Sequence, residues 1–152
     1  MTVELDSRSE VETRAIGRRL ASFLGPGDVI LLAGELGAGK TAFAAGLAEG
    51  LGIEEPVISP SFMLVRRYSG GFTPLTHADV YRVGSLNELD DLDLFEGSRD
   101  GVLIVEWGNS VVSSMPDDHL RVDIEVTGPS DRTVRLVPNG AWVTRSLKEI
   151  VE

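Results

Sequence analysis

Two stretches of the chain are apolar without interruption: Val29-Ile30-Leu31-Leu32-Ala33 and Val102-Leu103-Ile104-Val105. Runs of this kind predict strands buried on both faces, as in a parallel sheet. Leu120 to Val126 and Thr133 to Pro138 alternate instead, like an antiparallel pair around Gly128-Pro129-Ser130. Met63 to Tyr68 and Thr76 to Tyr81 predict two more strands, joined at Ser69-Gly70-Gly71, and Thr2 to Leu5 a short first one. Ser7 with Glu10, and Ser9 with Glu12, both fit the capping box that opens a helix. Its apolar stripe would be Val11, Ala15, Leu20, Phe23 and Leu24, ending at Gly25-Pro26-Gly27. Phe43, Leu47 and Leu51, four apart, predict a second helix closing near Gly50 and Gly52. Ser85 to Glu88 repeats the capping box ahead of a short acidic helix toward Phe95, and Ala141 to Val151 reads as a closing helix. With no repeat, linker or low-complexity tract, residues 1–152 read as one domain.

Composition narrows the chemistry. The chain has no cysteine, and His77 and His119 are its only histidines, so thiolate chemistry, disulfides and a structural zinc site have almost nothing to work with. Twenty-four acidic residues against 14 basic ones leave a formal charge of -10. That balance disfavours a free-standing nucleic-acid clamp, which needs a basic stripe; only Arg18-Arg19 and Arg66-Arg67 are locally basic. Met1 to Glu12 is charged throughout, unlike a signal peptide, and no apolar run approaches the roughly 20 residues that span a bilayer. The expected location is cytoplasmic, with no membrane partner.

Between the first apolar strand and the second helix lies Gly34-Glu35-Leu36-Gly37-Ala38-Gly39-Lys40-Thr41, a full match to G-x-x-x-x-G-K-[ST]. Chance produces this pattern in roughly one chain of this length in a few hundred, and far fewer place it between a buried strand and an amphipathic helix. Glycines let the loop wrap tightly enough to aim successive N–H groups at one phosphate. The following helix adds its N-terminal amides and positive dipole end. Lys40 is expected to bridge the β- and γ-phosphates, and the Thr41 hydroxyl to ligate magnesium. Twelve of the 14 bases are arginine, yet the base here is one of only two lysines, Lys40 and Lys148.

Neither lysine lies in the N-K-x-D motif that reads guanine, and no kinase-type glycine loop is present. A small-molecule kinase stays open, although no arginine-rich lid insertion is visible; so does a nucleotide-binding regulator without hydrolysis. Two acids follow apolar strands where a metal-side carboxylate is needed: Glu106 after Val102 to Val105, and Asp79 within Thr76 to Arg82. Singly, each is as well read as a surface acid at a strand end.

The phosphate loop, Ser59-Pro60-Ser61-Phe62 with Leu64-Val65, His77-Ala78-Asp79-Val80-Tyr81-Arg82, Glu88-Leu89 and Ile104-Val105-Glu106-Trp107 occur in this order and spacing in the TsaE (YjeE) family, which the chain resembles from about Ser9 to Arg135. These are bacterial ATPases required for threonylcarbamoyladenosine (t6A) modification of tRNA. The resemblance implies an α/β P-loop NTPase fold in a single domain. Its central sheet would be mixed and mostly parallel, flanked by helices, with a C-terminal antiparallel hairpin. It implies ATP and Mg2+ as cofactors, with Leu36, Gly37, Ala38, Gly39, Lys40 and Thr41 on the phosphates. Asp79 would stand at the magnesium, and Glu106 would be a magnesium-side carboxylate that could orient the attacking water. Trp107 matches a residue important to activity, and Ser61 a switch-like loop residue that is usually threonine. Glu10, Thr13 and Arg132 are the candidates near base and ribose.

The chain also departs from the family. Ala78 replaces a large apolar residue, and Gly108-Asn109 follows Trp107 where proline and an acid are usual. His77 is read as a packed, hydrogen-bonded strand histidine, and Asp90, Asp91, Asp93 and Glu96 as a solvated helix face. The partners implied are TsaD and TsaB, with tRNA reached only through that complex. ATP hydrolysis, slow alone and stimulated by the partners, would drive or reset them.

Overall fold

The computed structural model describes residues 2–35, 37–57, 65–79, 99–106, 117–145 and 147–151. Strand β1 (Val3–Ser7) leads into helix α1 (Glu10–Leu20), then β2 (Val29–Gly34) and helix α2 (Lys40–Gly50). β3 (Val65–Tyr68), β4 (Leu75–Asp79) and β5 (Val102–Glu106) follow, and β6 (His119–Val126) and β7 (Arg132–Asn139) complete the sheet. The expected helix at Ser85 to Phe95, its acids, and the outer ends of the two strands at Met63-Leu64 and Val80-Tyr81 lie outside the described residues.

The seven strands form one sheet in the order β1-β7-β6-β2-β5-β4-β3. β6, β2, β5 and β4 run parallel, while β1, β7 and β3 attach antiparallel at the flanks. The unbroken apolar runs are therefore central, as two-sided burial requires. Ile30, Leu32, Val102 and Ile104 join the main core with residues of both helices. Val29, Leu31, Leu103 and Val105 alternate to the other side and are buried as well. Along β6 only one side is apolar: Leu120, Val122 and Ile124 are buried, whereas Arg121, Asp123 and Glu125 are not. Arg135 of β7 spans Glu125 (2.7 Å) and Glu4 of β1 (2.9 Å) on that wet face.

α1 starts where the second capping box predicts. The Ser9 hydroxyl accepts from the Glu12 amide at 3.1 Å. Of the expected stripe, Leu20 is buried and Phe23 and Leu24 pack against the core, but its first member does not face inward. Val11 is 76% exposed, and the buried face is Thr13, Ile16, Gly17 and Leu20. Helix–helix contact decides this. A Cβ on Gly17 would strike the Phe43 carbonyl, and one on Gly46 the Arg14 carbonyl, so these glycines let α1 and α2 meet backbone to backbone. Arg14 and Arg18 then both bond Glu49 across the pair.

The single closing helix is also replaced. Two short 3-10 segments, Gly140–Thr144 and Leu147–Val151, take its place, and the first is capped by Arg145, whose backbone is extended (φ -82°, ψ 139°). The guanidinium of Arg145 forms a two-bond fork with Asp28 (2.9 and 2.8 Å) and stacks on Trp142, 3.8 Å from the ring centroid. Trp142, Leu147 and Ile150 all enter the main core. Meeting these anchors takes a break that one straight helix lacks.

Candidate nucleotide site

β2 ends at Gly34 and α2 begins at Lys40, so the glycine-rich segment is the turn that reverses the chain at the C-terminal edge of the parallel strands. Ligands in open α/β sheets bind at that edge. Gly34 is required by space: a Cβ there would lie 2.9 Å from the Ile124 carbonyl and 3.2 Å from the Ala38 Cβ. Gly37 (φ 83°) and Gly39 (φ 106°) take left-handed conformations, which winds the loop. Gly39 caps α2 and has no side chain to satisfy the first-turn amides. Those amides are left for an anion.

Lys40 folds back over the loop, and its Nζ donates to the Gly34 carbonyl at 2.8 Å. Thr41, next along α2, is exposed. Ala38 is fully buried, a wall of the turn rather than a ligand-facing side chain. Leu36 lies outside the described residues, as do Ser61 and Trp107.

The two residues expected to supply carboxylates end adjacent strands at the same edge. β4 and β5 pair parallel with Asp79 opposite Glu106, and Glu106 is in turn opposite Leu32 of β2, two residues before Gly34. Glu106 is only 4% exposed. Among the described residues the ion-pair contact it makes is with His77, whose Nε2 is 3.5 Å from Oε2. A buried carboxylate is costly unless it is paired. It suits a site that receives a divalent cation beside a triphosphate, and the donor set of hydroxyl plus carboxylates is of the hard oxygen type magnesium prefers.

Of the three residues expected near base and ribose, each has a different place. Glu10 is exposed in the opening turn of α1. Thr13 is buried, its hydroxyl 2.7 Å from that of Ser7 and donating to the Ser9 carbonyl at 3.3 Å. It meets the loop by packing, its Cγ2 standing 3.6 Å from where a Cβ on Gly39 would be. Arg132, at the start of β7, grips the loop from behind. Nε donates to the Ala38 carbonyl (2.9 Å) and NH2 to that of Gly37 (3.3 Å), while NH1 donates to Gly128 (3.1 Å) and Asp131 (2.8 Å). This anchoring of the loop by the β6–β7 turn leaves no mark in the sequence, because it joins residues 94 positions apart.

A family model for the threonylcarbamoyl adenosine biosynthesis protein TsaE matches residues 7–134. The chain belongs to the TsaE family. The tRNA threonylcarbamoyladenosine biosynthesis protein TsaE of Streptomyces coelicolor is 47% identical over 115 residues, 74% of this chain and 78% of that protein. The Bacillus subtilis protein of the same name is 42% identical over 132 residues, 85% of this chain and 81% of the relative. Among solved structures, the crystal structure of Bacillus subtilis YdiB superposes with a TM-score of 0.82 at 35% identity, covering 99% of this chain and 95% of that one. The TsaE match contains the phosphate loop, Asp79, Glu106 and Arg132. Among the described residues, no helix is long and apolar enough to cross a membrane.

Proposed function

We propose that this TsaE-family chain binds Mg2+-ATP and hydrolyses it in support of t6A synthesis on tRNA, acting with TsaD and TsaB. The observation that carries the reading is one edge of the sheet: a phosphate loop with Lys40 beside the paired strand ends of Asp79 and Glu106. Gly37 to Thr41 would hold the phosphates, with Lys40 moving from the Gly34 carbonyl onto the β- and γ-phosphates. Thr41, Asp79 and Glu106 would hold magnesium, directly or through water. When bound, that ion neutralises charge developing on the phosphates. Glu106, as an acceptor at the same edge, would also orient the attacking water.

The fit to t6A synthesis comes from the names of the relatives, and the acidic surface agrees with it. A chain of charge -10 gains little from tRNA phosphates directly, so RNA would be reached through the partner proteins. Hydrolysis would drive or reset the TsaD–TsaB complex between turnovers, and it is expected to be slow without them.

The test is ATP turnover and tRNA modification in vitro, each with and without TsaD–TsaB. Phosphate released to water, and faster with the partners, is the expected result. Stoichiometric phosphorylation of a metabolite would show a small-molecule kinase instead.

A further inference from the structure

His77 sits in the middle of β4, 0% exposed, and neither ring nitrogen has a hydrogen-bond partner among the described residues. Of the packed, hydrogen-bonded histidine that the sequence leads one to expect, the packing is present, and among the described residues the hydrogen bonds are not. Buried polar atoms without partners are uncommon and destabilising. If packing were the only demand, this position between Leu75 and Asp79 would be better filled by an aliphatic residue.

The neighbours say what the ring is for. Across the antiparallel pair, His77 is in register with Arg66, a residue with donors and no acceptor, so Arg66 cannot satisfy an imidazole N–H. Among the described residues, an acceptor close to the ring is Glu106: Oε2 stands 3.5 Å from Nε2. That distance is a few tenths of an ångström beyond the range of a good N–H···O bond.

We infer that His77 is a positioning residue for Glu106. Its Nε2–H holds Oε2 and leaves Oε1 turned to the phosphate-loop edge. A carboxylate at a strand end otherwise rotates, presenting either oxygen. One fixed donor removes that freedom in advance, in the way hydrogen bonds orient metal-side groups elsewhere. His77 acts through Glu106 and does not touch nucleotide. This inference rests on the proposed role of Glu106 in Mg2+-ATP chemistry.

The full-length chain with His77→Leu, His77→Gln and Glu106→Gln tests it. His77→Leu loses the weak 3.5 Å contact to Glu106 and, with it, a buried Nδ1 that has no hydrogen bond among the described residues, so its Tm should stay near wild type. Its kcat should fall about 10–100-fold, with KM for ATP within about threefold. His77→Gln, whose amide nitrogen reaches the place of Nε2, should recover most of the loss. Combining His77→Leu with Glu106→Gln should slow turnover no further than Glu106→Gln alone. Mn2+ binding to the ADP complex gives a second readout independent of turnover. It should weaken in His77→Leu while ADP affinity without metal stays unchanged. If His77→Leu unfolds, His77→Asn replaces it, since its nitrogen ends near Nδ1 and should not rescue. Wild-type kcat and Mn2+ affinity in His77→Leu would overturn the inference. So would Gln and Leu variants equally impaired in step with a lower Tm. If the wild type binds Mg2+-ATP but does not hydrolyse it, the hydrolysis reading fails on its own, and Mn2+ affinity alone decides His77.

Discussion

Asp79 and Glu106 end adjacent parallel strands in register, so two acids 27 positions apart in sequence stand side by side. The pairing of Leu75 with Val102 and of His77 with Ile104 leads to this match. A slip of one residue would turn the buried Val102, Ile104 and Glu106 to the opposite side of the sheet. Asp79→Asn and Glu106→Gln should each weaken the Mg2+ dependence of turnover by about 10–100-fold. Nucleotide affinity in excess chelator should change little. Paired Mg2+ titrations of turnover and metal-free binding check this, and an unchanged Mg2+ midpoint in both variants would remove the acids from the metal side.

Lys40→Ala should lower ATP affinity about 10–100-fold, the size of a lost charge-assisted hydrogen bond. Nζ donates to the Gly34 carbonyl in the ligand-free loop, so a stability change of the size of one hydrogen bond is expected beside the loss of affinity. Calorimetric ATP titration alongside a melting curve separates the two effects.

Arg132→Ala should weaken ATP and ADP alike, by about tenfold, because the loop loses its rear anchor and must be ordered by the nucleotide. Arg132→Lys should not restore affinity, since one ammonium cannot span the four carbonyls that the guanidinium holds. Equal loss for the two nucleotides is the telling result; a loss confined to ATP would place Arg132 on the γ-phosphate instead.

Gly46→Ala should destabilise the protein by about 1–3 kcal/mol, because the new methyl meets the Arg14 backbone rather than a side chain that can swing away. At this chain length that is a fall in Tm of several degrees. Gly70→Ala, with open space around it, is the control expected to melt near wild type.

Arg145→Ala should lower stability by about 1–2 kcal/mol, since Asp28, mostly buried, loses both bonds of its fork and Trp142 loses its stacking partner. The hydrogen bonds to Asp28 raise the Arg145 pKa above its ordinary value. A raised folded-state pKa means the contribution is present below the ordinary arginine value and lost only as pH climbs through the raised one. The difference in Tm between wild type and variant should therefore stay constant in the neutral and mildly alkaline range, as thermal melts at several pH values would show.

Much of this protein was determined by local pattern. Unbroken apolar runs marked the central parallel strands, since two-sided burial leaves no place for polar residues. Ser9 and Glu12 marked the start of α1, and the glycine spacing marked the phosphate loop, because each depends on neighbours within a few residues. Tertiary contact decided the rest. Val11 turned outward because the glycine seam between α1 and α2 chose a different helical face. The last segment broke at Arg145 to reach Asp28, 117 positions away. Register brought Asp79 beside Glu106, placed His77 under the same carboxylate, and set Arg132 behind the loop. The physical reason is one of range: hydrophobic period and turn chemistry are short-range properties, whereas the partner of a buried polar group is selected only when the sheet closes.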